Sequence, residues 1–305
     1  MAVAGTVIGA GFATGKELLI FFNGNSVFYL LLMIASVILV GVTSVLYFYY
    51  AKKSGDSKLL TAVFLAFSGG GYVIMLACGG QALYDSLNIS YNFGVFITFL
   101  ITMLIIRFGI EGIYKFNLFV TPIIIVSLIF ISFVGLSSPV FNNSQTPFVN
   151  SFLYAGYNIL AVLPFISAIA KETDKKDGFW GITIGFVLIL AAGISAKLLL
   201  NSYFSLISSE SIPIFKIVSI LSPYFSYIYS VVLYSAILTT AATLIYILTK
   251  GKRPKELFLI SVPLLILSFA GFTTLLEKIY TGFGYIGIII ILIIIARRIF
   301  NGKQE

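Results

Sequence analysis

The chain has 305 residues, of which 59% are hydrophobic and 10% charged, and its formal net charge is +8. A soluble domain carries about 25% charged residues, so this chain cannot build a water-facing surface and lipid has to be its solvent. The basic residues sit in short gaps between apolar runs rather than on one face, which excludes a nucleic-acid interface; the absence of histidine excludes histidine metal sites and proton relays, and the single cysteine, Cys78, excludes an intramolecular disulfide.

About 20 apolar residues cross the hydrocarbon core of a bilayer. The first such run covers residues 2–22; no basic segment precedes it and no cleavage site follows, so it reads as a span rather than a signal peptide. It carries Gly5, Gly9, Gly11 and Gly15, then Lys16 and Glu17. Each glycine costs about 1 kcal/mol relative to alanine in a helix, so the run invites unwinding. Close helix packing, with Lys16 reaching to the membrane surface, is the second reading. Residues 26–50, 59–88, 93–110 and 114–136 form the next four spans. The third contains Ser68-Gly69-Gly70-Gly71, Gly79-Gly80 and, near mid-depth, Tyr72. The sixth, residues 148–170, holds the polar pentapeptide Tyr154-Ala155-Gly156-Tyr157-Asn158 and then Pro164. Residues 179–201, 215–249, 257–276 and 280–300 complete a set of about ten. The run 215–249 exceeds one span, and Ser222-Pro223 is expected to separate a short surface helix from the span itself.

Loops rich in lysine and arginine stay in the cytoplasm. Lys52, Lys53 and Lys58, then Arg107 and Lys115, then Lys171, Lys175 and Lys176, then Lys250, Lys252, Arg253 and Lys255, and finally Arg297, Arg298 and Lys303 all fall on one side of a ten-span topology with both termini inside. The loop at residues 137–147 carries no charge. The expectation is a multi-pass membrane protein with both termini cytoplasmic, a single domain over residues 1–305.

Ten spans with both ends inside divide into two inverted halves, about 1–136 and 148–300. Glu111-Gly112-Ile113-Tyr114 and Glu277-Lys278-Ile279-Tyr280 echo each other at equivalent places in the two halves. The first and sixth spans are then inverted partners, and both carry helix-weakening insertions. Paired interruptions of this kind point to a transport site at mid-membrane. Freed N–H groups there hold an anion and freed carbonyls a cation.

The stretch Val7-Ile8-Gly9-Ala10-Gly11-Phe12-Ala13-Thr14-Gly15-Lys16-Glu17, followed by Phe21-Phe22, resembles the first helix of the YkvI-like bacterial membrane proteins. That group is similar to the amino acid–polyamine–organocation superfamily, with its leucine-transporter fold. The family pattern carries Gln where this chain has Lys16. The resemblance implies an all-α fold of ten helices, an inverted five-plus-five repeat with helices 1 and 6 broken, and ion-coupled transport of an amino acid or similar solute. It implies a substrate carboxylate near the amides of Gly9, Ala10 and Gly11, with Tyr154, Ala155, Gly156, Tyr157 and Asn158 around the rest and Tyr72 closing one side or serving as packing. It also implies a sodium site from the carbonyls of Gly5 and Ile8 on the first helix and Ala236, Thr239 and Thr240 on the eighth. Hard oxygen ligands at i, i+3 and i+4 share one helix face, although such hydroxyls also bond their own preceding carbonyls.

Glu17, deep in a span, is a functional residue by default. It either takes up a proton in the transport cycle, so that H+ rather than Na+ is the coupling ion, or latches Lys16, Lys197 or a polar side chain. No cofactor is implied beyond the coupling ion; the partners are the lipid bilayer and a small solute. An enzyme is disfavoured, since Asp85 is the sole aspartate within a span and serine–histidine pairs are impossible. A ligand sensor with the same pocket, or a channel, are the remaining rivals.

Overall fold

The computed structural model describes residues 10–24, 27–54, 57–136, 146–249, 252 and 254–301. The described residues are helical with short connections. In chain order the helices are α1 (Ala10–Thr14), α2 (Lys16–Phe21), α3 (Val27–Ser54), α4 (Lys58–Leu87), α5 (Tyr91–Ile105), α6 (Gly109–Gly135), α7 (Val149–Ala170), α8 (Lys175–Ser202), α9 (Phe204–Ile207), α10 (Pro213–Leu221), α11 (Pro223–Thr249), α12 (Pro254–Ser268) and α13 (Phe272–Asn301). Among the described residues, eight helices are long and apolar enough to cross a membrane. The α1–α2 pair forms the described part of the first span. The 15 residues of α12 rise about 22 Å, short of the ~30 Å hydrocarbon core.

Several boundaries follow local chemistry. The short helix α10 does precede the eighth span, and the break falls at Ser222, before Pro223. The apolar run 257–276 is not one helix: α12 stops at Ser268, and the tenth span begins at Phe272 instead of 280. Gly271, with φ 97°, makes the left-handed turn between them. Both Glu-x-Ile-Tyr echoes therefore lie near the starts of their helices, α6 and α13.

The two helices expected to be broken have different outcomes. The first span is interrupted at Gly15, which has φ 75°. The freed groups are satisfied by side chains: the Lys16 amide donates to the Thr14 hydroxyl at 3.3 Å, and the Tyr229 hydroxyl donates to the Ala13 carbonyl at 2.5 Å. This accounting is what a membrane interior demands. The sixth span, by contrast, is one uninterrupted α-helix of 22 residues, with Pro164 inside it. The reason lies in α13. A Cβ on Gly156 would strike the carbonyl of Gly284, and a Cβ on Gly287 would strike the carbonyl of Gly156. The glycine of the pentapeptide thus lets two backbones touch, as small residues do between membrane helices; it does not open the chain.

α7 lies at the centre, packed on α3 and α13, while α4 packs on α5 and α11. One end of the bundle gathers basic side chains: the Lys52 ammonium donates to the carbonyls of Ala170 (3.0 Å) and Thr173, and Arg297 donates to the Tyr50 hydroxyl at 2.7 Å. The opposite end is tied by Tyr29 to the carbonyl of Thr146, by Tyr91 to that of Ser268, and by Lys197 to that of Gly24.

Candidate functional site

The break at Gly15 resets the helix phase, and this brings Glu17 back over α1. Its carboxyl oxygens occupy the space that a Cβ on Gly11 would fill. Glu17 is 3% exposed, and the Tyr157 hydroxyl donates to its Oε2. Among the described residues Glu17 forms no salt bridge. Of a lysine latch and a polar one, it takes the polar one. The Lys16 ammonium points elsewhere, donating to the Glu210 carbonyl between α9 and α10 at 2.8 Å. Lys197 donates to the Gly24 carbonyl and, at 2.7 Å, to Asn201 Oδ1.

The carboxyl sits in a shell of aromatic rings. Tyr157 stacks on Tyr280 of α13 with centroids 4.5 Å apart and planes 12° from parallel. Phe21 and Phe22 meet Tyr154 edge-on at 5.8 and 4.8 Å, and Tyr154 meets Tyr157 at 5.3 Å. Such pairs contribute about 0.5–1.5 kcal/mol each beyond area burial. They fix Tyr157 so that its hydroxyl faces Glu17, a hydrogen bond contributing about 0.5–1.5 kcal/mol. The Tyr154 hydroxyl, fully buried, has no hydrogen-bond partner within 3.5 Å among the described residues.

The structure brings together Gly11, Glu17, Tyr154 and Tyr157. Asn158, also buried, directs its Nδ2 to the Tyr154 carbonyl at 2.9 Å, one turn back on its own helix. Ala155 is fully buried. Tyr72 is fully buried too, but its hydroxyl pairs with Thr102 on α5 at 3.0 Å, as a packing residue's would. Ala10 opens α1; Gly5, Ile8 and Gly9 lie outside the described residues. On α11, Thr239 Oγ1 and Thr240 Oγ1 each donate to the Ala236 carbonyl at 2.9 Å. A carbonyl and two hydroxyls therefore converge on one helix face, satisfying each other in the manner common in membrane helices.

Two contributors are not singled out as site residues by the sequence. Tyr280 is visible there as the last residue of the second Glu-x-Ile-Tyr echo, without a role. Tyr229 carries no signal; it is one of many tyrosines in its stretch, and only packing of α11 on α1 selects it.

No family model matches the chain. It is 23% identical to YkvI, an uncharacterised membrane protein of Bacillus subtilis, over 93% of this chain and 90% of that one. In structure it is similar to Mhp1, a nucleobase-cation-symport-1 family transporter solved in a closed conformation with bromovinylhydantoin bound (TM-score 0.54, 11% identity, 94% of this chain and 70% of that). It is also similar to a variant of the manganese transporter of Eremococcus coleocola (TM-score 0.50, 16% identity, 99% of this chain and 70% of that). The chain is therefore an all-helical, multi-pass membrane protein of the leucine-transporter fold, similar along nearly its whole length to YkvI, as the motif of its first span leads one to expect.

Proposed function

We propose that the protein is a secondary transporter of a small solute, an amino acid or related zwitterion, coupled to an ion and working by alternating access between two inverted halves, 1–136 and 148–300. The observation that carries this is the Glu17 carboxyl, held inside the bundle at the break of the first span by the Tyr157 hydroxyl and a ring of aromatics. A carboxyl at such depth is costly and is retained where a cation or proton must bind. The buried Tyr154 hydroxyl, without a hydrogen-bond partner among the described residues, adds a donor to the same cluster. In this reading Glu17 exchanges a proton, or receives the solute's ammonium group, as the site opens alternately to each side. The solute's carboxylate end reaches the amides at Gly9, Ala10 and Gly11. The basic end of the bundle is the cytoplasmic one by the positive-inside rule, and the Lys16–Glu210 contact is a tie on the external side.

The convergence of Ala236, Thr239 and Thr240 favours a second coupling reading, in which Na+ replaces the two hydroxyl hydrogen bonds and gains Gly5 and Ile8 as further oxygen ligands.

A thermal-shift screen of the purified protein against amino acids and related solutes, with and without sodium, identifies the solute, since ligand binding raises apparent stability. Uptake of that solute into proteoliposomes under an imposed pH or sodium gradient then tests transport. Gradient-driven accumulation is expected. Binding without flux would identify a sensor, and flux that only dissipates a gradient would identify a channel. Glu17→Gln should abolish pH-driven accumulation yet keep solute exchange, because a group that holds no exchangeable proton cannot couple to its gradient; full pH-driven uptake in this variant would remove Glu17 from the mechanism.

A further inference from the structure

The basic end of the bundle holds a cleft of about 440 Å³ between α3, the start of α4 and the last turns of α13, within the range of about 300–1,000 Å³ of ligand clefts. Its depth is hydrocarbon: Val45, Leu60, Val63, Ile286, Ile290 and Ile294 line it. Leu59 and Ile289, which also line it, are 77% and 59% exposed. In a membrane protein such exposure means that the cleft opens sideways into the acyl chains. Its polar lining comes from Lys53, Ser57, Arg297 and the neighbouring tyrosines. The Arg297 guanidinium is steadied there: it donates to the Tyr50 hydroxyl at 2.7 Å and lies 5.3 Å from that ring's centroid.

The stretches of sequence that border this mouth are predominantly basic. Against Lys52, Lys53, Lys58, Arg297 and Arg298, the same stretches of sequence carry a single acidic residue, Asp56. Lys52 donates to the carbonyls of Ala170 and Thr173; Lys53 and Arg297 line the cleft itself.

An occupant must match both parts. A soluble anion would leave the apolar slot unfilled, and a neutral lipid would bring no charge to the cations. We propose that this cleft binds one anionic glycerophospholipid, with an acyl chain between the valine and isoleucine side chains and its phosphate against Lys53 and Arg297. The arginine fork suits phosphate oxygens, and basic pockets between membrane helices at this level of the bilayer are where acidic headgroups dock. The lipid would touch α13, the helix that supplies Tyr280 and the close contact with Gly156, so its binding stabilises the pair on which the central site is built.

The test uses the full chain in detergent, titrated with dioleoylphosphatidylglycerol, with dioleoylphosphatidylcholine or with inorganic phosphate, and followed by thermal shift and native mass spectrometry. Phosphatidylglycerol should raise the melting temperature and be retained; the other two should do neither. The double variant Lys53→Gln/Arg297→Gln should weaken the lipid roughly thirty-fold, at about five-fold per basic residue. Ile290→Trp, which fills the slot and keeps the cations, should abolish retention. Equal stabilisation by phosphatidylcholine, an equal shift with phosphate alone, or undiminished lipid retention in either variant would overturn the proposal. If the double variant does not fold, the Ile290→Trp arm and the lipid comparison decide it.

Discussion

Replacing Gly156 with alanine adds one methyl group at the closest approach of two membrane helices. The added Cβ would fall on the carbonyl oxygen of Gly284, and Gly287 leans on the Gly156 carbonyl from the same side. Both obstacles are backbone, so no rotamer change relieves the overlap and α7 and α13 must move apart. Overpacking of this kind costs about 1–3 kcal/mol, against which alanine recovers up to about 1 kcal/mol of helix propensity. The net expectation is a loss of up to about 2 kcal/mol, and a gap of about 1–3 kcal/mol from a control that gains the propensity without the overlap, or at least about 2 °C in melting temperature. Gly282, on α13 itself, has open space where an alanine methyl would sit, with nothing within 4 Å; Gly282→Ala is therefore the matched control and should be neutral or slightly stabilising. Thermal unfolding of both variants in the same detergent measures the difference. Equal melting temperatures for the two would refute the claim that Gly156 serves helix contact. Because the strain parts Tyr157 from Tyr280, Gly156→Ala should also weaken solute binding, whereas Gly282→Ala should not.

Gly15→Ala places a side chain at φ 75°, where an L-residue costs about 1–2 kcal/mol, and its Cβ would meet Ile214 Cγ1 at 2.7 Å; a melting temperature equal to that of the parent would rule out the left-handed break. Tyr157→Phe removes the donor to Glu17, leaves a buried acceptor unpaired and keeps the stack on Tyr280, so stability should fall by about 1–3 kcal/mol. A double-mutant cycle with Glu17→Gln should show coupling above about 0.5 kcal/mol; strict additivity would mean the two groups do not interact. Thr239→Ala combined with Thr240→Ala should remove any sodium stimulation of uptake, and sodium-driven uptake at parental levels would exclude Ala236, Thr239 and Thr240 as the ion site.

Much of the fold is legible in the chain because a bilayer leaves little choice. Apolar runs of span length have to be helices there, since every backbone group must be satisfied internally, and the one-sided lysines and arginines order them. Proline and glycine punctuation marks the α10–α11 junction at Ser222-Pro223 and the weakness of the first span. The depth of Glu17 singles it out as a candidate site residue. What the chain does not disclose is what its glycines do. Gly15 and Gly156 look alike in sequence, each with polar or aromatic residues close by in an apolar run. One is a left-handed break and the other a contact point inside an unbroken helix. The difference is made by α13, whose Gly284 and Gly287 lie far along the chain and press on the backbone at Gly156. The same holds for the partners of Glu17. Its neighbour Lys16 turns to Glu210, and the carboxyl receives Tyr157 from another helix instead. Burial depth is set by composition and span length, but the choice between opening a helix and packing it belongs to whichever surface arrives opposite.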